Sequence, residues 1–312
     1  RLTFAGWEVL TEKSMEAITN KPGADGASAR SGGAAPGQPD FEKPTKHGKF
    51  KRIEDKLILS QKQTDLLLED INRNMKPSYL HEGTKFTLIA SCYFDGPDLR
   101  FFHDHFLKAP KRYKLRIRRY APDGVWNDEP ALIELKSKEI DISRKRRFSL
   151  TKDNYERVMR GETMAMTDEL QALNSKSAEK LLKWMTKING LITQFGLKPA
   201  IKLQYRRFAF EAEDGFRITI DSDLRIETLR FDVCRAAAAT TIAEEHWQKA
   251  KRLAARYERG RHCVVELKHT GHPPHWVTSF LKQSEIKNTS FSKYCWAVHE
   301  TARPEAPLPK AA

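Results

Sequence analysis

The fold is decided by one stretch of the chain, Tyr113-Lys114-Leu115-Arg116-Ile117-Arg118-Arg119-Tyr120. Side chains of a β-strand alternate between its two faces, so this stretch predicts a strand whose cations Lys114, Arg116 and Arg118 share one face. Leu115 and Ile117 then fall on the opposite face. A strand of this kind separates a charged surface from an apolar core.

The same alternation recurs in residues 133–138, 216–221 and 264–268. The charged faces of these stretches carry Glu134, Lys136, Lys138, Arg217, Thr219, Asp221, Glu266 and Lys268. A half-exposed antiparallel sheet produces this pattern, and so does a sheet that curls until its charged faces line one cavity. A cavity with so many inward cations is tolerable only if water or an anion fills it, because burying an uncompensated ion is costly.

The chain is strongly basic. Its 312 residues include 55 Lys and Arg against 41 Asp and Glu, a formal charge of +14. This excess indicates a polyanionic partner, which leaves open nucleic acid, an acidic membrane surface and a polyphosphorylated ligand. No apolar run reaches the roughly 18 residues of a membrane span, and the first residues lack the apolar core of a signal peptide, so we expect a cytoplasmic protein.

Composition and turn signals divide the chain. Residues 21–40 are dense in Gly, Ala, Ser and Pro, so we expect residues 1–46 to form a disordered tail. Residues 47–300 are predicted as one domain and residues 301–312 as a second tail. Within the domain, strands mostly follow strands through short turns, with helices interspersed, one of them a charged amphipathic helix over residues 242–259. This order predicts an antiparallel α+β fold.

The four cysteines predict no metal site or redox motif. None of them forms a C-x-x-C pair, which favours buried, reduced thiols over zinc ligands. They are Cys92, Cys234, Cys263 and Cys295.

No phosphate-binding loop motif occurs in the chain. Neither G-x-x-x-x-G-K-[ST] nor G-x-G-x-x-G is present, so a phosphate ligand would have to be held by side chains. Arg suits two-point contact with phosphate oxygens, and Lys suits charge neutralisation. The candidates are Lys56, Lys114, Arg116, Arg118, Lys136, Lys138, Lys145, Arg147, Arg207, Arg217, Lys268 and Lys293.

Carboxylates and histidines offer two kinds of possible metal ligand. Glu134 and Glu266 each open a Glu-Leu-Lys triplet, and a carboxylate among cations is either an ion-pair spacer or a ligand for Mg²⁺ or Mn²⁺. His103 and His105, and likewise His272 and His275, are spaced like metal ligands. No Cys or third His accompanies either pair, so loop structure is the favoured interpretation.

Five segments, taken together and in order, resemble the catalytic domain of the vacuolar transporter chaperone (VTC) family, the polyphosphate polymerases of the CYTH or triphosphate-tunnel superfamily. The segments are SCYFDGPDL (91–99), KLRIRRY (114–120), ELK (134–136), VELK (265–268) and SFSKY (290–294). The resemblance implies an antiparallel β tunnel barrel of about eight strands with a basic lumen and flanking helices. It also implies transfer of the ATP γ-phosphoryl group to inorganic polyphosphate, with Mn²⁺ or Mg²⁺ as cofactor. We expect no nucleic-acid partner, because the basic residues alternate with acids along the strands and are not accompanied by exposed aromatics for base stacking.

Site residues follow from the resemblance position by position. It implies that catalytic phosphate contacts come from Lys56, Arg116, Arg118, Lys136, Lys145, Arg207, Arg217 and Lys293. It implies that Tyr205 and Ser292 bind substrate and that Glu266 binds the metal. We add five residues from the charged faces, Glu134 as a second metal candidate and four further substrate contacts, namely Lys114, Lys138, Arg147 and Lys268.

Two departures keep alternatives open. Ser290 stands where fungal members carry another lysine, which leaves room for a non-catalytic polyphosphate-binding module. Hydrolytic members of the superfamily show E-x-E-x-K on the first strand, and this chain has Arg52 in place of the first Glu, followed by Glu54 and Lys56. Fewer carboxylates leave fewer ligands for a metal that positions water, which favours a polymerase over a triphosphatase of the same fold.

Overall fold

The structure is a computed structural model that describes residues 52–77, 86–126, 130–140, 142–166, 175–229, 251–252 and 254–301. The first predicted tail, residues 302–312 of the second, Cys234, and residues 242–250 and 253 of the predicted helix over residues 242–259 lie outside these ranges. The strands are β1 (Arg52–Ser60), β2 (Lys76–Pro77), β3 (Thr87–Asp95), β4 (Lys111–Pro122), β5 (Leu132–Glu139), β6 (Ile142–Ser149), β7 (Lys198–Glu211), β8 (Arg217–Thr228) and β9 (His262–Thr270). The helices are α1 (Gln61–Asn74), α2 (Arg100–Phe106), α3 (Lys152–Met159), α4 (Ser175–Phe195), α5 (His275–Gln283) and α6 (Lys293–Thr301).

All nine strands belong to one antiparallel sheet. Eight follow the order β1-β9-β8-β7-β3-β4-β5-β6, and the short β2 pairs with β7. The sheet curls into a half-barrel, which confirms the predicted α+β class with about eight antiparallel strands. Within the described ranges β1 and β6 are not paired with each other, so these two edge strands do not close the sheet into a full barrel.

Local sequence signals explain several element boundaries. Ser60 caps α1: its hydroxyl accepts from the Gln63 backbone N–H at 3.3 Å, and the Gln63 side chain accepts from the Ser60 N–H at 2.9 Å. Gly196 ends α4 with φ of 57°, a left-handed conformation that a residue without Cβ adopts easily. A hairpin joins β7 and β8, with the Gly215 N–H donating to the Ala212 carbonyl at 3.0 Å.

The apolar side chains form three clusters on the two faces of the sheet. On the outer face, α4 packs on β4 and β5 through Leu181, Met185, Ile188 and Ile192, the stripe that its periodicity predicts. Elsewhere on that face, α1 and α5 pack on β8 and β9 through Leu67, Ile71, Val277 and Phe280, among others. Leu66 of α1 does not belong to this cluster and is exposed. The third cluster lies inside the curl, where α6 packs on β7 and β3.

Asp95 fixes two helices inside the curl. His103 and His105, for which loop structure was the favoured interpretation, lie in helix α2. The buried Asp95 carboxylate accepts from the backbone N–H groups of Gly96, Phe101 and Phe102 at 2.8, 2.9 and 3.0 Å. It also accepts from the Tyr294 hydroxyl of α6. One carboxylate thus caps α2 and ties it to α6.

The cysteine prediction is confirmed for Cys92, Cys263 and Cys295, which are buried free thiols. Burial raises the pKa of Cys92 to about 12 and that of Cys263 to about 11, so both stay protonated near neutral pH. None of the helices in the described residues is both long and apolar enough to cross a bilayer.

Candidate active site

The charged faces of the strands line one cavity inside the curled sheet, about 360 Å³ in volume. Its lining contains eleven Lys and Arg side chains against three Glu side chains, a surplus of eight positive charges. The cations are Lys56, Arg112, Lys114, Arg116, Arg118, Lys136, Lys138, Lys145, Arg207, Lys268 and Lys293, and the carboxylates are Glu54, Glu134 and Glu266. The curled alternative, rather than a flat solvated face, is therefore the arrangement that this sheet adopts.

Fourteen of the sixteen predicted site residues line this cavity. The two exceptions are Arg147 and Arg217, which are absent from the lining. Arg147 lies on β6 opposite Glu134, and Arg217 lies on β8 opposite Lys268. Both therefore share the charged face of the sheet without lining the cavity.

One side of the cavity, which we name the Arg116 wall, consists of Arg116, Arg118, Glu134 and Lys145 on β4, β5 and β6. Glu134 is 1% exposed and lies 2.6 Å from Arg116 Nε and 3.0 Å from Lys145 Nζ. The Arg118 guanidinium is 4.0 Å from the same carboxylate. Burial raises the pKa of Glu134, but the three cations outweigh it and hold that pKa well below its usual range. Glu134 is thus ionised and shared among three cations.

Tyrosine hydroxyls orient the two arginines of this wall. The Tyr93 hydroxyl accepts from Arg116 Nη1 at 3.0 Å, and the Tyr205 hydroxyl accepts from Arg118 Nη2 at 3.0 Å. Ser91 Oγ accepts from Arg118 Nε, also at 3.0 Å. Sequence reasoning gave Tyr93 no role, although its place two residues after Ser91 puts both on the same face of β3.

A second group, which we name the Arg207 wall, consists of Arg207, Glu266 and Lys293 in the lining and the buried Asp221 behind them. Asp221 is fully buried and takes Arg207 in a two-point pair, with Nε at 2.6 Å and Nη2 at 2.7 Å. Lys293, at the start of α6, bridges Asp221 at 2.7 Å and Glu266 at 3.2 Å. The sequence placed Asp221 on the charged face but did not predict its part in the site.

The Glu266 carboxylate remains accessible from the cavity. Its side chain is 12% exposed, and its other cationic neighbours, Lys268 and Arg207, lie 3.8 and 4.0 Å away. Burial raises the pKa of Glu266, but Lys293 and Arg207 hold it well below the usual range, so the group is ionised.

Two lysines of the cavity, Lys114 and Lys136, lie near other cations that disfavour their charged form. Burial and the nearby cation Lys56 lower the pKa of Lys114, whose ammonium donates to Ser292 Oγ at 3.0 Å. Burial likewise lowers the pKa of Lys136, with Lys56 and Arg116 adding to the effect. A bound polyanion would relieve this repulsion, so the lining is suited to an anion of high charge.

Whether a divalent ion fits this cavity depends on the side chains that could bind it. No cluster of three or more His, Cys, Asp or Glu capable of holding a metal occurs in the described residues. Mg²⁺ in phosphate sites needs only one or two carboxylates, because substrate phosphates and water complete its shell. Glu266 fits this requirement, with Glu54 near enough to affect it electrostatically. Glu134 is enclosed by cations, which favours the ion-pair spacer interpretation.

The curled antiparallel sheet encloses a cavity with a strongly positive lining. The family profile of the VTC domain matches residues 51–301, which is most of the chain. The chain belongs to the VTC-domain family.

Two curated relatives carry the same name, vacuolar transporter chaperone complex subunit 4. The protein from Trypanosoma brucei brucei is 30% identical over 164 residues, covering 46% of this chain and 21% of the relative. The protein from Schizosaccharomyces pombe is 26% identical over 236 residues, covering 67% of this chain and 31% of the relative. The chain thus spans less than a third of the length of either relative.

Two of the solved structures that match this chain are distant from it in sequence. One, from Bacillus halodurans and described as a candidate adenylate cyclase, has a TM-score of 0.41 at 16% identity, covering 79% of this chain and 96% of that one. Another, HpAC1 from Hippeastrum, described as having a dominant triphosphatase activity, has a TM-score of 0.39 at 15% identity, covering 83% and 98%.

Proposed function

We propose that this protein is a polyphosphate polymerase, which transfers the γ-phosphoryl group of ATP to the end of an inorganic polyphosphate chain and releases ADP. The observation that carries the proposal is the surplus of eight positive charges lining one cavity inside the sheet. Such a surplus suits a ligand with several adjacent phosphates, since each added phosphate neutralises part of it. Membership of the VTC-domain family supports the same substrate class.

In the proposed reaction, a terminal oxygen of the polyphosphate chain attacks the γ-phosphorus of ATP. A new P–O–P bond forms, the bond from the γ-phosphorus to the β,γ-bridging oxygen breaks, and ADP leaves with that oxygen. The attacking oxygen is already anionic near neutral pH, so no general base is required. The loose transition state of phosphoryl transfer instead asks for alignment and charge neutralisation.

The two walls supply those requirements. Arg116 and Arg118 present guanidinium groups fixed by carboxylate and hydroxyl partners, so they are held in place before a phosphate arrives. Arg207 of β7 and Lys293 of α6 are likewise held in place, by Asp221. A divalent ion held by Glu266, with Glu54 beside it, would supply charge neutralisation at the phosphate oxygens. Either Mn²⁺ or Mg²⁺ suits such oxygen donors.

The test is to incubate purified protein with γ-labelled ATP and Mn²⁺ or Mg²⁺ and to resolve the products on a gel. We expect a ladder of long anionic chains and one ADP per phosphate incorporated. Adjacent residues of β4 provide a matched pair of variants, because Arg118 faces the cavity and Arg119 lies over Trp126, outside it. The Arg118→Ala variant should lose the ladder, and the Arg119→Ala variant should keep it.

A triphosphatase of the same fold is the second candidate, because Glu54 and Glu266 both line the cavity and together could hold an ion that positions water. Free labelled phosphate without a ladder would establish that activity and overturn the polymerase. Unchanged ATP would overturn both enzymatic candidates and would indicate a binding module. The presence of Ser290 in the lining, where fungal members carry a lysine, is consistent with that outcome.

A further inference from the structure

His105 of α2 lines the cavity but has no part in either wall. Its ring packs edge-on against Phe106, with 5.1 Å between ring centroids. Neither of its ring nitrogens has a hydrogen-bond partner in the part of the chain that the structure describes. The sequence suggested loop structure or a metal spacing with His103. The residue instead lies in a helix, and the described residues contain no group of three or more His, Cys, Asp or Glu side chains placed to hold a metal ion.

Cations surround His105 from three strands. They are Lys56 on β1, Arg112 and Lys114 on β4, and Lys136 on β5. On its own helix the nearest carboxylate in sequence, Asp104, is already paired with Arg100 at 2.9 Å. The imidazole is therefore the one ionisable lining group of α2, and the charges of its cationic neighbours oppose its protonation.

Burial and these cations lower the pKa of His105 to about 3, so the imidazole is neutral at pH 7 when no anion is bound. A neutral imidazole offers one N–H donor, whereas the protonated ring offers two and a positive charge. Phosphate oxygens placed among Lys56, Lys114 and Lys136 would cancel the field that keeps the ring neutral. Protonation then becomes favourable, and it adds a further cation to the lining.

We propose that His105 is an additional phosphate-binding residue of the cavity and takes up a proton from solvent when a polyphosphate chain binds. This inference rests on the proposed function, because it requires a polyanion as the occupant of the cavity. The sign of the pH dependence follows directly. Binding that takes up a proton tightens as the pH falls, and the effect ceases near pH 3, where His105 is protonated even without ligand.

Calorimetry with long-chain inorganic polyphosphate tests this, since only the end groups of such a chain titrate near neutral pH. Titrations in two buffers of different ionisation enthalpy measure the protons taken up. For the wild-type protein we expect net proton uptake at about pH 6, and affinity about fivefold to tenfold tighter there than at about pH 8. The His105→Gln variant should lose most of both effects. His275→Gln is the matched control, because His275 is exposed on α5 and absent from the lining.

The outcomes separate this inference from the function on which it rests. If wild-type protein binds polyphosphate without taking up protons, the role of His105 is overturned whatever the variant does. Equal proton uptake and equal pH dependence in the wild-type and His105→Gln proteins would overturn it too. If the wild-type protein does not bind polyphosphate at any pH, the proposed function fails and the inference fails with it.

Discussion

The two walls of the cavity use the same residue types in different proportions. The Arg116 wall shares one enclosed carboxylate, Glu134, among three cations. The Arg207 wall has two carboxylates, and Asp221 takes most of the charge of Arg207 and Lys293. Glu266 is thereby left with weaker contacts and 12% exposure, against 1% for Glu134.

This difference shows that two identical Glu-Leu-Lys triplets can place their glutamates in different roles. Glu134 and Glu266 each precede Leu and Lys in the sequence, but strand register gives them different neighbours. Glu134 lies opposite Arg116 on one side and Arg147 on the other. Glu266 lies opposite Lys56 and the uncharged Thr219. The first arrangement fixes arginines, and the second leaves a carboxylate available to a divalent ion.

The largest expected effect comes from removing Asp221. The Asp221→Ala substitution leaves Arg207 and Lys293 buried without their main counter-ion, and we expect the free energy of unfolding to fall by about 3–5 kcal/mol. Denaturant-induced unfolding measures it. Glu227→Ala on the same strand is the control, since its exposed pair with Lys202 should be worth less than about 1 kcal/mol. Equal losses in the two variants would show that Asp221 does not hold this wall together.

The next largest expected effect distinguishes Glu266 from Glu134 by how each substitution changes the dependence of turnover on Mn²⁺. We expect Glu266→Gln to lower turnover about 100-fold and to raise the concentration of Mn²⁺ needed for half-maximal rate, because a ligand is lost. Polyphosphate binding without metal should persist. Steady-state ADP release at varied Mn²⁺ measures both quantities.

Glu134→Gln is the comparison for that experiment. It should lower the free energy of unfolding by about 2 kcal/mol, since charge-assisted contacts to Arg116 and Lys145 weaken. The Mn²⁺ concentration for half-maximal rate should stay at the wild-type value. If both variants shift the Mn²⁺ dependence equally, the two glutamates share one role, and the distinction between the walls is wrong.

Much of the fold was predictable because its signals are local. The alternation around Arg116 fixed which side chains share a face, and Ser60 and Gly196 marked helix ends by their own backbone chemistry. Placing predicted site residues in one cavity needed only the further assumption that the charged faces converge. Arg147 and Arg217 show the limit of that reasoning, because a shared face does not determine where along it a cavity lies.

The unpredicted parts depend on contacts between distant residues. Helix α2 begins at Arg100, and the preceding residue, Leu99, has φ of 53° and supplies no side-chain cap. Its N-terminus is instead capped by Asp95 of β3, and Tyr294 of α6 shares that carboxylate. Because α2 was not foreseen, neither was the position of His105. The Arg207–Asp221 pair likewise needs the register of two strands with a bulge between them.

The smallest expected effects come from removing the tyrosine hydroxyls. They show which of Arg116 and Arg118 depends more on its tyrosine partner. Arg116 keeps its carboxylate contact at 2.6 Å when Tyr93 becomes Phe, so we expect polyphosphate affinity to fall about twofold. Arg118 has its carboxylate 4.0 Å away and relies on Tyr205 and Ser91.

Tyr205→Phe should therefore cost more than Tyr93→Phe, about fivefold to tenfold in affinity, or about 1–1.4 kcal/mol. Both changes keep the aromatic ring, so packing against α6 is preserved and the hydroxyl contact is what is measured. Calorimetric affinities for the same polyphosphate preparation give the ranking. A larger loss for Tyr93→Phe would mean that the Glu134 contact does not hold Arg116 by itself, and that the hydroxyls rather than the carboxylate orient this wall.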